Sequence, residues 1–259
     1  MRDIWEEQLK WIESGEPFVL ARVIQTWRSA PRKSGAGMLI GKGMRVAGSV
    51  SGGCIEGAVI EEALDTLESG ESRRLSFGVE DDLALSVGLS CGGEVSVLLE
   101  KHWAFSADPN TTKVWDTLQN CISNNKPAIL ISALPHENGS STEEQAILLI
   151  LPDGENVGSI QNNHEEAVAL AEEAYKEREN RIVELGGKEY FIQVFPRRDL
   201  LLIIGAGHIT IPLVGFAKEL DFHTIVIDPR GVFATPERFA VPPDQLISKW
   251  PDDVLPELP

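Results

Sequence analysis

Val46-Ala47-Gly48-Ser49-Val50 and Asn156-Val157-Gly158-Ser159-Ile160 stand 110 residues apart and share a Gly-Ser pair set among apolar neighbours. A second pair of anchors keeps the same spacing, Pro17-Phe18-Val19-Leu20 and Pro127-Ala128-Ile129-Leu130. Between the anchors each stretch holds a further apolar run, Met38-Leu39-Ile40 and Leu148-Leu149-Ile150, closed by Gly41-Lys42-Gly43 and Pro152-Asp153-Gly154. Helical periodicity follows over 55–67 and 165–176, then strand patterns over 73–77 with 94–99 and over 181–185 with 189–195. One order of elements met twice is an internal repeat. Residues 1–196 therefore read as a duplicated α/β domain with halves over about 15–100 and 125–196, the first carrying extra residues around Asp81 to Cys91. A helix over 112–123, entered through the turn Asp108-Pro109-Asn110, reads as the link between them.

What differs between the copies is as informative as what agrees. Ser51-Gly52-Gly53-Cys54 of the first becomes Gln161-Asn162-Asn163-His164 in the second, which sets His164 in the place of Cys54. Turn chemistry that lets backbone approach a ligand closely is then present once only. The second copy is acidic, with twelve acidic and three basic residues over 137–184. That charge reads as a solvated face, with partner docking as its alternative use.

At residue 200 the pattern changes. Leu200-Leu201-Leu202-Ile203-Ile204 is a continuous apolar run, as in a parallel strand covered on both faces. It enters Gly205-Ala206-Gly207 and an apolar-periodic helix through Leu220; a second strand over 224–227 ends at Asp228. Thr235-Pro236-Glu237 reads as a helix N-cap with Pro in the first turn, and 245–248 as a third strand. This β-α-β-α-β order is half of a doubly wound sheet, so residues 197–259 read as an incomplete, apparently truncated Rossmann-like domain.

Composition narrows the function classes. With 23 Lys+Arg against 40 Asp+Glu the net charge is −17, which argues against nucleic acid, since phosphates must first be met by cations. An acidic surface also repels anionic lipid, and no apolar run approaches the roughly 18 residues that span a bilayer. The N-terminus is amphipathic (Ile4, Trp5, Leu9, Ile12) and lacks a signal peptide's basic start. Three cysteines without a CxxC make no disulfide framework, and a cytoplasmic location with free thiols is the expectation.

Two Gly-flanked cysteines are the leading site candidates. Cys54 follows Ser51-Gly52-Gly53 at the expected start of a helix, with Glu56 just beyond. Unpaired amides and the helix dipole favour an anion there, so the thiol is expected to be more acidic than free cysteine, and the same amides would hold a phosphate. Cys91 lies in Ser90-Cys91-Gly92-Gly93-Glu94 and offers a second soft sulfur, or is a small buried residue in a tight turn; Cys121, mid-helix, reads as core. Arg32 lies in a turn between strands, where it either reaches an anionic ligand or is solvated. The five histidines show no ligand spacing, which argues against a structural zinc site. Gly205 and Gly207 match two glycines of the dinucleotide fingerprint and Asp228 its acidic residue, but Thr210 stands at the third place and would crowd the helix against the strand. Weak or no nicotinamide binding is the expectation.

Together these stretches resemble the XdhC/CoxI family, accessory proteins of molybdenum hydroxylases. The resemblance rests on Thr26 to Arg32, Gly48-Ser49-Val50-Ser51-Gly52-Gly53-Cys54-Ile55-Glu56-Gly57 and Gly88-Leu89-Ser90-Cys91-Gly92-Gly93-Glu94. At the C-terminus it rests on Gly205-Ala206-Gly207-His208, Asp228-Pro229-Arg230 and 233–239; the middle is matched loosely. It implies a cofactor carrier and not a catalyst. Such a protein binds molybdenum cofactor (molybdopterin), protects it, assists its sulfuration with a cysteine desulfurase, and inserts it into an apo-hydroxylase of xanthine dehydrogenase type. Carried onto this chain, the cofactor-binding residues are Cys54, with Cys91 and Glu56. Whether Cys54 ligates molybdenum, carries a persulfide or lines the pocket stays open, as does a homodimer. The family continues through the rest of the Rossmann domain, and this sequence does not. Two other readings compete: an NAD(P)-dependent oxidoreductase using Gly205, Gly207 and Asp228, and a docking scaffold that uses the acidic second copy.

Overall fold

The computed structural model describes residues 1–28, 30–78, 93–137, 139–141, 146–160 and 163–258. Contacts divide the chain into two compact units, Met1–Pro196 and Arg197–Pro259.

In the first unit the order is α1 (Trp5–Glu13), β1 (Phe18–Trp27), β2 (Gly37–Gly41), β3 (Arg45–Gly48), α2 (Glu56–Ser69), β4 (Ser72–Phe77) and β5 (Glu94–Lys101). Then follow α3 (Pro109–Ser123), β6 (Ala128–Ala133), the short β7 (Ser140–Ser141), β8 (Ile147–Ile150), β9 (Asn156–Ser159), α4 (His164–Glu177), β10 (Arg181–Leu185) and β11 (Lys188–Phe195). Two antiparallel sheets result, ordered β3-β2-β1-β5-β4-β7 and β9-β8-β6-β11-β10. Apart from the added β7, the two orders are the same.

The repeat holds at the level of register. Val19 pairs with Ile40 and Leu20 with Leu39; in the second sheet Ile129 pairs with Ile150 and Leu130 with Leu149, each residue 110 positions on. Gly48 and Gly158 survive in both copies for a backbone reason. Both sit at positive φ (+80° and +88°), and a Cβ on either would run into a carbonyl oxygen, of Gly37 or of Ile147. Only glycine fits such a place.

The helix read as a link belongs to the repeat as well. Trp115 of α3 stands 110 residues beyond Trp5 of α1, and the two rings pack at 5.2 Å. Both helices close on a left-handed residue, Gly15 and Asn125. Little else coincides between them, which is why the sequence pattern does not show it.

Alternation along the strands explains the packing. Val19, Ala21 and Val23 face one way and pack with Val59 and Ala63 of α2; Ile129 and Ile131 likewise pack with Ala167 and Ala171 of α4. The opposite residues, Phe18, Leu20 and Leu130, enter a shared core with Trp5, Trp11, Val114, Trp115 and Leu118 of α1 and α3. The central strands of each sheet are buried on both faces, so β1, β2, β6 and β8 read as apolar runs, broken in β1 by Arg22 and in β6 by Ser132.

One residue of α1 departs from that core's apolar chemistry. Gln8 of α1 is fully buried and its side-chain amide finds no partner among the described residues; Leu118 holds the equivalent place in α3. An unmet buried amide costs about 1–3 kcal/mol. Gln8→Leu is therefore expected to raise the thermal midpoint, and an unchanged or lower midpoint in a calorimetric scan would contradict this account of the core.

The second unit contains β12 (Leu200–Ile204), α5 (Thr210–Glu219), β13 (His223–Ile227), β14 (Gln245–Ile247) and the one-turn α6 (Pro251–Val254). Its sheet is parallel, ordered β12-β13-β14, with Leu202 opposite Ile225 and Ile225 opposite Gln245. This is the Rossmann-like β-α-β arrangement. Two local expectations change. Among the described residues β12 pairs with β13 alone and stands at the sheet's edge, so Leu200 and Ile204 are exposed and the residues between them half-buried. Thr235 caps nothing with its side chain, and Pro236–Arg238 is a single 3-10 turn. No helix among the described residues is long and apolar enough to cross a membrane.

Candidate functional site

Register places three sequence-distant stretches at one end of the first sheet. The C-terminal end of β1 lies beside the start of β5, with Trp27 opposite Glu94, and Arg22 is opposite Gly37 at the start of β2. Gly48, the last residue of β3, pairs with Met38 at that same end. The β1–β2 loop with Pro31 and Arg32, the β3–α2 loop with Ser51 to Cys54, and Gly93 before β5 are thereby brought to one rim. Cys91 and Gly92 lie outside the described residues.

The β3–α2 loop turns through two glycines at positive φ, Gly52 (+87°) and Gly53 (+124°), both exposed. Its amides, expected to face a ligand, are engaged from within. Glu56, the first residue of α2, folds its side chain back over the loop. Its Oε1 accepts from the Ser49 hydroxyl (2.6 Å) and the amides of Val50 (3.2 Å), Ser51 (2.9 Å) and Gly52 (3.1 Å). Its Oε2 accepts from the Ser51 hydroxyl (2.5 Å) and the Gly53 amide (2.9 Å). The buried Ser51 Oγ takes the next two amides, Cys54 (3.0 Å) and Ile55 (3.1 Å). This is an anion nest at a helix start, and the anion is the chain's own carboxylate. The expectation that these amides cradle an incoming phosphate is corrected accordingly.

Partial burial pushes the Glu56 carboxyl up, but the hydroxyls of Ser49 and Ser51 and the backbone amides outweigh it and hold it at about 2. A depressed carboxylate stabilises the fold above its unfolded value of 4.5, and that contribution fades as pH falls from 4.5 toward 2. The advantage of wild type over Glu56→Gln in urea is thus expected to be full at neutral pH and to shrink across that window. A gap between the two that does not change with pH would contradict it.

Cys54 sits at the rim of this loop, half-buried, its side chain against the apolar cluster that α2 forms with the sheet. Gly52 lies under Pro31, whose Cβ is 3.5 Å from where a Gly52 Cβ would stand. Arg32 is half-exposed beside the loop; its Nε donates to the Ser49 carbonyl (3.2 Å) and its Nη2 pairs with Asp3. Arg32 therefore braces the loop and keeps an exposed edge. Cys121 is buried in α3, and burial pushes its thiol pKa up. His102, whose pKa is lowered to about 3 by burial and then by Arg22, accepts the Ala104 amide at Nδ1 and is a neutral core residue.

The second copy has no matching nest among its described residues. α2 and α4 align 108 residues apart, with Val59, Ala63 and Thr66 answered by Ala167, Ala171 and Ala174, all buried. His164 therefore stands in the place of Glu56, not of Cys54, because the loop before it is two residues shorter. Its Nε2 meets the Asn156 side chain at 3.2 Å, while Asn163 reaches Glu166 at 2.9 Å.

In the second unit Gly205 turns at φ +102° and the Ala206 amide donates to Asp228 Oδ2 (2.8 Å). Asp228 is fully buried and also accepts from Arg230, through its amide (2.9 Å), Nε (2.9 Å) and Nη2 (2.8 Å). The Arg230 hydrogen bonds hold its carboxyl far below the usual range. An acidic residue expected to meet a ribose hydroxyl instead ties the glycine loop to its own arginine. Arg238 donates to the Ala206 carbonyl (2.8 Å), and both arginines lie over the Phe233 ring, at 4.3 and 4.7 Å. Thr210 does not crowd the helix start; its hydroxyl donates to the Gly205 carbonyl at 2.7 Å. Gly207 has open space around it and His208 is exposed.

Comparison with known proteins follows the same division. Residues 11–78 match the XdhC and CoxI family, and residues 201–247 match the XdhC Rossmann domain. A Bacillus subtilis protein named as a probable xanthine dehydrogenase subunit is 26% identical over 248 residues, 95% of this chain and 69% of that protein. The Escherichia coli molybdenum cofactor insertion chaperone PaoD is 34% identical over 100 residues, 39% of this chain and 31% of PaoD. A solved Bacillus halodurans structure described as a xanthine dehydrogenase aligns with a TM-score of 0.74 at 25% identity, covering 98% of this chain and 70% of that one. The resemblance read from the sequence is borne out at both of its ends.

Proposed function

We propose that this XdhC/CoxI-type chain is a molybdenum cofactor carrier that receives the cofactor at the Cys54 rim and passes it to a molybdenum hydroxylase of xanthine dehydrogenase type. The similarity to an insertion chaperone over 100 residues, and the family match over residues 11–78, support the accessory role. The observation that carries the assignment to Cys54 is its place: a half-exposed sulfur on a glycine turn, where three sequence-distant stretches meet.

The chemistry of the rim suits a cargo that brings most of its own ligands. No three of His, Cys, Asp and Glu converge on a metal-binding group among the described residues. A sulfur donor for a soft metal is what the rim offers, so the cargo's remaining coordination must come from its pterin. Because the loop amides already hold Glu56, the cargo's phosphate meets other groups, and Arg32, with its exposed edge beside Ser49, is a cation of the loop cluster that can take it. Gly93 lies at the same rim, before β5, and Cys91 and Gly92 are kept as cofactor-binding residues on the sequence resemblance alone. Sulfuration by a cysteine desulfurase, stabilisation of bound cofactor, and a second copy of the chain as partner complete the proposal.

A nicotinamide dinucleotide is not proposed as the ligand of the second unit. Its ribose would have to displace Arg230 from both oxygens of Asp228. Delivery is tested by mixing cofactor-loaded chain with apo-hydroxylase. Activity should return faster than with the same amount of free cofactor, and an equal rate would remove the carrier role.

A further inference from the structure

We infer that Glu56 is a resident anion and positioning residue: it closes the cradle of the Ser49–Gly53 loop against outside anions and holds that loop in the one shape that leaves Cys54 at the rim. The inference deepens the carrier reading, yet its geometry stands without it.

Four amides and two hydroxyls converge on one carboxylate, more donors than a helix start needs for capping. A carboxylate reserved for a ligand would keep an oxygen free of the loop; here one oxygen takes four donors from the loop and the other takes two. Negative charge at the first turn of α2 also satisfies the helix dipole. Without it, two consecutive glycines at positive φ would have only the Ser49 and Ser51 hydroxyls and Arg32 to select this conformation from the many open to them. The second copy supports the same reasoning by contrast. It has His164 at the Glu56 place and no glycine pair before it, so the carboxylate, the glycines and the cysteine are absent together. For the cargo, a filled cradle means recognition through sulfur and side chains, with the phosphate docked outside the loop.

The test is amide hydrogen exchange of the full chain, read on peptides covering 49–55, and it needs no cofactor. Its failure is therefore distinguishable from failure of the carrier reading. In Glu56→Ala, exchange over 50–55 should rise at least about tenfold while protection in β1 and β5 stays at the wild-type level. Added formate, a carboxylate small enough for the vacated cradle, should restore slow exchange, and Glu56→Asp should restore part of it. Inorganic phosphate should leave wild-type exchange in this loop unchanged. Glu56→Gln, isosteric, keeps one accepting oxygen but turns an NH2 toward the remaining donors; it should also raise exchange above wild type, less than alanine does, and guards against loss of fold by truncation. Wild-type exchange rates in both variants, no effect of formate, or protection of the wild-type loop by phosphate would each overturn the inference.

Discussion

Arg22→Ala should lower the unfolding free energy by about 3–5 kcal/mol, the cost of leaving a buried charge without its partner. Arg22 lies in β1 with no exposure. It reaches Glu100 at 2.6 Å, the Gln193 side chain at 3.1 Å and the Ser132 hydroxyl at 3.1 Å. Burial pushes its guanidinium pKa down, and Glu100 pulls it back up. The residue marks the seam of the duplication. Ser132 stands 110 positions beyond Arg22, and Gln193 pairs with Leu130 just as Glu100 pairs with Leu20. The first copy thus contributes an ion pair where the second contributes a serine and a glutamine. Removing only the arginine takes the cation from Glu100, which is 1% exposed and keeps the Trp103 indole as a donor at 3.1 Å. Arg22→Met combined with Glu100→Gln, which moves the first copy toward the neutral chemistry of the second, should return most of the loss, because an apolar or neutral replacement of a whole buried pair is often tolerated. Urea titration at constant m-value measures both. A loss below about 1 kcal/mol for Arg22→Ala, or a double variant as unstable as the single, would show that the seam is not held this way.

The duplication is legible in the sequence where backbone geometry forces a residue. Gly48 and Gly158 stay glycine because a carbonyl oxygen occupies the space a side chain would need. The strand anchors survive because both faces of each sheet's central strands are buried. Helices α1 and α3 do not read as a pair, since their shared core asks only for bulk: Trp11 is answered by Cys121 and Gln8 by Leu118. Arg22 escapes a reading by motif although its signal is present, a lone charge within the apolar run from Phe18 to Ile24. At the site, the glycine turn and Cys54 are visible in the sequence, while the destination of the amides is not. A carboxylate reaching back across seven residues to Ser49 lies outside the short capping patterns a sequence displays. Asp228 falls at the expected strand end but serves a different use, because Arg230, two residues on, takes both of its oxygens.

Loss of Cys54 should have the larger functional effect. Its thiol is the one soft donor on the rim among the described residues, so Cys54→Ala is expected to cut cofactor retention at least about tenfold, a difference of about 1.4 kcal/mol. The fold should be untouched, since the side chain is only half-buried and a small residue fills the same space. Cys121→Ala is the control. That thiol is buried in the core between the sheets, and its removal should leave retention unchanged. Equal losses in the two variants would point to a general effect of thiols, or of stability, and away from the rim.

The most direct test is molybdenum content per chain after anaerobic gel filtration of the protein mixed with released cofactor, with wild type and Cys54→Ala run side by side. Wild type should elute with molybdenum bound, and the variant with no more than about a tenth of it. Wild type eluting free of the metal, or the variant retaining as much as wild type, would contradict the assignment of the cargo to Cys54.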